Sequence, residues 1–154
     1  MVSFWLIHMA VSFASTVGFG VITNIPPRTL LPAGLVGAVA WSVYVEANLL
    51  VSGVIVPNLL AAVVIGGLGN VLARVVQAPV NLFYIPSLVS LVPGALIFES
   101  MKDFTLGQTG AAQGHLIDTL TIAMALAAGF VIAEAVVSGI THWLNERSHT
   151  CKIH

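Results

Sequence analysis

The sequence predicts an all-α integral membrane protein, a bundle of about five transmembrane helices, one of them interrupted at Pro93-Gly94. Composition is the first ground. The 154 residues are 58% hydrophobic and 7% charged, with a mean hydropathy of +1.01. Soluble domains run about 45–50% apolar and about 25% charged, so this shortage of charge argues for lipid as the solvent. The second ground is spacing. Apolar runs near the roughly 20 residues needed to cross hydrocarbon recur at about 4–22, 32–50, 54–72, 79–99 and 116–144, followed by a short polar tail at 145–154. The third is an apolar stretch, Tyr84 to Phe98, that carries Pro86 and Pro93-Gly94 inside it.

The first run begins Met1-Val2-Ser3-Phe4-Trp5 without a basic leader and stays apolar to Ile22, which reads as a span rather than a cleavable signal peptide. Asn24-Ile25-Pro26-Pro27-Arg28 closes it, because Pro26 pushes Ile25 out of the helical region and two prolines cannot continue a helix. Pro32 is expected to start the second span, Ser52-Gly53 to turn into the third, and Arg74 to Ala78 to turn into the fourth. Lys102-Asp103 with Gly107 to Gly114 is expected to form the most polar loop. Gly34-x-x-Gly37, Gly66-Gly67-x-Gly69 and the run Ala123 to Gly129 are small-residue faces suited to close helix packing.

The fourth run carries the clearest functional signal. Proline removes a backbone donor and crowds the preceding turn, so carbonyls near residues 89–93 lose helical partners. Irregular backbone at that depth survives only against protein or a watery cavity, as in transporters built on broken helices. Pro93 and Gly94 are therefore the expected hinge, and Asn81, Ser87 and Ser90 the expected polar groups of a substrate pathway. Ser87 and Ser90 stand three apart, on one helical face.

Charge supplies the rest. With Arg28, Arg74, Arg147 and Lys152 on one side and Lys102 on the other, the positive-inside rule places the N-terminus outside and the C-terminus in the cytoplasm of a prokaryotic inner membrane. Five Lys plus Arg, spread singly, form no basic patch for nucleic acid; the lipid bilayer is the expected partner. Glu134 lies amid small and apolar neighbours in the last run, where an ionised carboxylate is costly, and is the candidate for proton coupling. Arg28 and Asp118 are candidates for a mouth or gate, Asp118 also as the cap of a last helix beginning beside it. Glu46, late in the second run, is expected to reach toward water. His8, His115, His142, His149 and His154 show no i, i+3 or i, i+4 pairing, so no metal site is expected, and Cys151 is incidental. Trp5, Trp41, Tyr44 and Trp143 suit interfacial belts.

Gly18-Phe19-Gly20-Val21-Ile22-Thr23-Asn24-Ile25-Pro26-Pro27-Arg28-Thr29-Leu30, Ala33-Gly34-Leu35-Val36-Gly37-Ala38, Ala78-Pro79, Ile85-Pro86 and Leu91-Val92-Pro93-Gly94-Ala95-Leu96-Ile97-Phe98, in that order, resemble the small-subunit form of the threonine/serine exporter family. The resemblance covers nearly the whole chain. It implies a subunit of an exporter for small polar metabolites, either hydroxyl amino acids or a dicarboxylate such as succinate, without a cofactor. It also implies a larger partner subunit of the same family, with homo-oligomerisation the other route to a complete pathway. Phe98-Glu99-Ser100 stands where the resemblance implies a tyrosine and a basic residue, which weakens an anion-attracting role there. A homo-oligomeric channel or accessory scaffold is the alternative class. An enzyme is not expected, since the chain has neither an HExxH zinc motif nor a GxSxG elbow.

Overall fold

The computed structural model of the chain describes residues 2–150, with side chains described from Trp5 to Thr141. Cys151, Lys152 and His154 lie outside the described residues, as do the side chains of His142, Trp143, Arg147 and His149. The described backbone forms helices α1 (Val2–Ile22), α2 (Pro27–Leu50), α3 (Ile55–Val76), α4 (Asn81–Leu88), α5 (Gly94–Thr105) and α6 (Thr109–Thr150), and no strand. Four of these, α1, α2, α3 and α6, are long and apolar enough to cross a membrane. Helices α4 and α5 are the two halves of the interrupted fourth segment.

Local chemistry explains the helix ends. After α1 the chain turns at Asn24, which adopts φ 55°, a left-handed conformation that asparagine tolerates. The Ile25 N–H then donates to the Gly20 carbonyl at 3.1 Å and the Asn24 N–H to Val21 at 3.0 Å, satisfying carbonyls that the helix end leaves open. Helix α5 closes in the same way around Gly107 at φ 77°, with Gln108 N–H donating to the Asp103 carbonyl at 2.8 Å. Gln77, at φ 53°, ends α3 just before Pro79.

Three expectations are corrected. Helix α2 starts at Pro27 rather than Pro32: Pro27 fills the first helical position, where a missing N–H costs nothing, and the Thr29 hydroxyl donates to the Pro26 carbonyl at 2.8 Å. Pro32 therefore sits inside α2, where it deprives only the Arg28 carbonyl, close to the helix mouth. The stretch from Gly107 to Gly114 is not a long polar loop, because α6 begins at Thr109, and Ala112 is buried where its carbonyl accepts from the Ser100 hydroxyl at 2.9 Å. Asp118 consequently does not cap the last helix; it stands well past the first turn of α6, exposed.

Packing fixes the directions. Helix α1 packs on α2 and α4, α2 also on α3 and α4, α3 on α4 and α6, and α5 on α6 alone. Gly66 faces Ala133 while Gly129 faces Ala62 and Leu59, so α3 and α6 run parallel. Two adjacent parallel spans require the intervening segment to cross the bilayer once. The broken segment does so antiparallel to α6: moving back from Ser100 to Tyr84 moves forward from Ala112 to Phe130. A re-entrant α4–α5 hairpin is thereby excluded.

Small residues make these approaches possible. A Cβ on Gly129 would lie 2.7 Å from the Leu59 carbonyl oxygen, so any larger residue forces α3 and α6 apart. Gly34 meets Phe13 and Val17 in the same way, whereas Gly67 borders open space and has no such packing role. The core they enclose contains Val36, Ala40, Ala61, Ala62, Ile65, Leu91, Ile122 and Leu126.

Candidate functional site

The break between α4 and α5 is a defined structure. Pro93, at φ −77° and ψ 54°, is the centre of an inverse γ-turn in which Gly94 N–H donates to the Val92 carbonyl at 2.8 Å. Upstream, the Leu88 carbonyl accepts from Leu91 at 2.8 Å and from Val92 at 3.0 Å. Among the described residues, the carbonyls of Val89, Ser90 and Leu91 receive no backbone N–H. The cause is visible in the sequence: Val89 would pair with the N–H that Pro93 lacks, and the γ-turn diverts Gly94 away from Ser90.

The break lies at the level of mid-α1 and mid-α2. Ser12 of α1 is buried with its Oγ 3.1 Å from the Gly37 carbonyl oxygen and 3.0 Å from Ser90 Oγ. A hydroxyl has one proton, so Ser12 either donates to Gly37 and accepts from Ser90, or donates to Ser90. Thr16, fully buried one turn along, donates to the Ser12 carbonyl at 2.9 Å. A cavity of about 280 Å³ adjoins this pair, lined by His8, Ser12, Ser15, Trp41 and Ser90 together with apolar neighbours. Trp41 Nε1–H donates to His8 Nδ1 at 3.4 Å, and its ring stacks between those of His8 and Tyr44. Trp41 thus has a packing role inside the bundle.

The sequence-predicted residues separate into two groups. Ser90, Pro93 and Gly94 belong to the break, and Ser90 alone of these lines the cavity. Ser87 is fully buried and donates to the Ala33 carbonyl at 3.2 Å, tying α4 to α2. Ser90 lies just past the end of α4, where its Oγ meets Ser12 of α1. Asn81 is exposed at the start of α4, and Gly94 is exposed with open space where a Cβ would stand. Arg28 and Arg74 lie at the end of the bundle that carries the α1–α2 and α3–α4 turns; Lys102 lies at the other. There Asp103 sits 3.8 Å from Lys102 Nζ and 3.6 Å from His115 Nε2. Among the described residues no cluster of His, Cys, Asp and Glu could hold a metal ion.

Glu134 does not point into the core. It lines a groove of about 580 Å³ between α3 and α6, with Asn70, Arg74, Ser138 and Thr141 among its neighbours. Asn70 is held by donating from Nδ2 to the Gly66 carbonyl at 3.0 Å and to the Tyr84 hydroxyl, which itself donates to Gly66 at 3.1 Å. The Tyr84 ring rests on Phe130 with centroids 5.1 Å apart. Sequence reasoning missed His8, Ser12, Asn70 and Tyr84 as site residues. One signal was available: Ser12 and Thr16 are spaced i, i+4 in a mostly apolar helix, opposite Gly37, where a backbone carbonyl is accessible.

Apolar helices of spanning length around a mid-depth segment of unpaired carbonyls and buried hydroxyls have the arrangement of a membrane transport protein. The family model described as "Threonine/Serine exporter, ThrE" matches residues 8–136, most of the chain. The chain belongs to the threonine/serine exporter family, and is a transporter rather than an enzyme. No curated protein and no solved structure matches it.

Proposed function

We propose that the chain is a subunit of a secondary active exporter for small polar metabolites, threonine and serine or a dicarboxylate such as succinate. It works beside a larger subunit of the same family or further copies of itself. The observation that carries this reading is the Ser12–Ser90 hydroxyl pair beside freed carbonyls at mid-depth, opening on a cavity of about 280 Å³. That volume is at or below the roughly 300–1,000 Å³ of pockets for larger ligands and suits a small metabolite. Its polar groups are hydroxyls and an imidazole, which exchange hydrogen bonds with a substrate hydroxyl or carboxylate. Val11 and Ser15 on its lining are exposed, and α1 and α6 do not meet, so additional helices are needed to enclose a pathway.

The distribution of Arg28 and Arg74 against Lys102 supports an N-terminus outside and a C-terminus inside a prokaryotic cytoplasmic membrane. Glu134 serves as the coupling carboxylate, loaded and unloaded with a proton from the groove at the same end as Arg74. Reconstituted vesicles test the reading. The exporter concentrates labelled threonine, serine or succinate against its gradient when a pH difference is imposed, and Glu134→Gln abolishes the dependence on that difference. Flux that only equilibrates would identify a channel, and unchanged pH dependence in the variant would remove Glu134 from coupling.

A further inference from the structure

The groove between α3 and α6 is separate from the cavity at the break and holds both signs of charge. Arg74 and Glu134 line it together, yet among the described residues neither forms an ion pair within 4.0 Å. Opposite charges left unneutralised in one groove offer an anion site and a cation site to a single ligand. We infer that this groove is a second binding site, which receives a small hydroxylated amino acid as its zwitterion. The ligand's role rests on the exporter reading; the site itself rests on the groove.

The chemistry matches group by group. Arg74 presents a planar fork of donors suited to a carboxylate. Glu134 accepts from an ammonium, and Asn70, whose Nδ2 is committed to Gly66 and Tyr84, retains Oδ1 as a further acceptor. Ser138 adds a hydroxyl on the α6 wall for the ligand's own hydroxyl, and Thr141, whose proton goes to the backbone of its own helix, can accept from it. Depth adds a second argument. Glu134 follows Ala133, which packs on Gly66 in the middle of α3, so its carboxylate is at membrane depth on an exposed face. A charge there is strongly disfavoured against lipid and requires water or a countercharge. While Glu134 is ionised the groove also discriminates: a dicarboxylate that seats one end on Arg74 brings its other end toward Glu134, where like charges repel. The site therefore selects hydroxyl amino acids over succinate.

Two measurements test the inference on the full chain in its native membrane complement. Equilibrium binding of labelled L-threonine is competed with L-serine, succinate, 1-amino-2-propanol, which lacks the carboxylate, and 3-hydroxybutyrate, which lacks the amine. Wild type is expected to yield to serine alone. Arg74→Gln and Glu134→Gln each weaken threonine binding by about tenfold or more, the effect of losing a charge-assisted hydrogen bond. Each also loses one preference: Arg74→Gln no longer favours threonine over 1-amino-2-propanol, and Glu134→Gln no longer favours it over 3-hydroxybutyrate, while Glu134→Asp retains the wild-type order. Unaltered analogue preference in both variants, or succinate competing as well as serine in wild type, overturns the groove site even where vesicles transport threonine. Binding that follows the expected order in protein whose vesicles move no threonine upholds the groove and overturns the exporter reading instead.

Discussion

Helices α4 and α5 are two halves of one crossing, yet they are held in opposite ways. Helix α4 is wedged among α1, α2 and α3, with Phe83 0% exposed, Ser87 bonded to Ala33 and Tyr84 fixed by Asn70 and Gly66. Helix α5 touches α6 alone, burying Ser100 and Asp103 while Phe98, Met101 and Phe104 face outward. The difference shows that the break separates a fixed half from a half anchored on one side. Such a proline-bent junction is where the hinge expected at Pro93-Gly94 would act.

The largest expected effect contrasts the two halves directly. Phe83→Ala should lower unfolding free energy in mixed micelles by about 3–5 kcal/mol, because the surrounding helices cannot collapse into the space. Phe104→Ala, at a position 71% exposed, should change it by no more than about 0.5 kcal/mol. Equal losses would erase the distinction between the halves. Pro93→Ala comes next: by returning an N–H to the Val89 carbonyl it should raise stability by about 1 kcal/mol and slow transport, the opposite directions being the mark of a working break. A variant that is more stable and equally active would make the break a packing feature only. The smallest effect sharpens the comparison within the serines. Ser87→Ala should cost about 0.5–1 kcal/mol with substrate preference intact, whereas Ser90→Ala should leave stability nearly unchanged and alter transport. Thermal unfolding paired with vesicle flux separates the two.

Much of this architecture was legible from local chemistry. Hydropathy located the four long apolar helices, Asn24-Ile25-Pro26-Pro27 marked a turn that the structure closes with a left-handed asparagine, and Pro93 indicated which carbonyls are left open. Proline also misled, since the same residue type that starts α2 at Pro27 is tolerated inside it at Pro32, and only the first-turn hydrogen bonds distinguish the two. The start of α6 was hidden because Thr109 to Gly114 has the composition of a loop and is helical through its packing on α5. The partners of the site were least legible. Ser12 meets Ser90, and Glu134 joins Asn70 and Arg74, through helix neighbours far apart in sequence; no periodicity within one helix encodes such a meeting. Glu134 itself was visible as a carboxylate in an apolar run, but its outward direction depended on the close contact of Gly66 with Ala133.

The short reach of α4 has a consequence for how the protein is made. Eight residues of helix extend about 12 Å, less than half of a hydrocarbon core of about 30 Å. Released from the insertion machinery by itself, this piece would bring the bare carbonyls of Val89, Ser90 and Leu91 into lipid. The fourth crossing therefore depends on α1, α2 and α3 for cover, so an insertion order in which those helices come first is expected to favour its assembly.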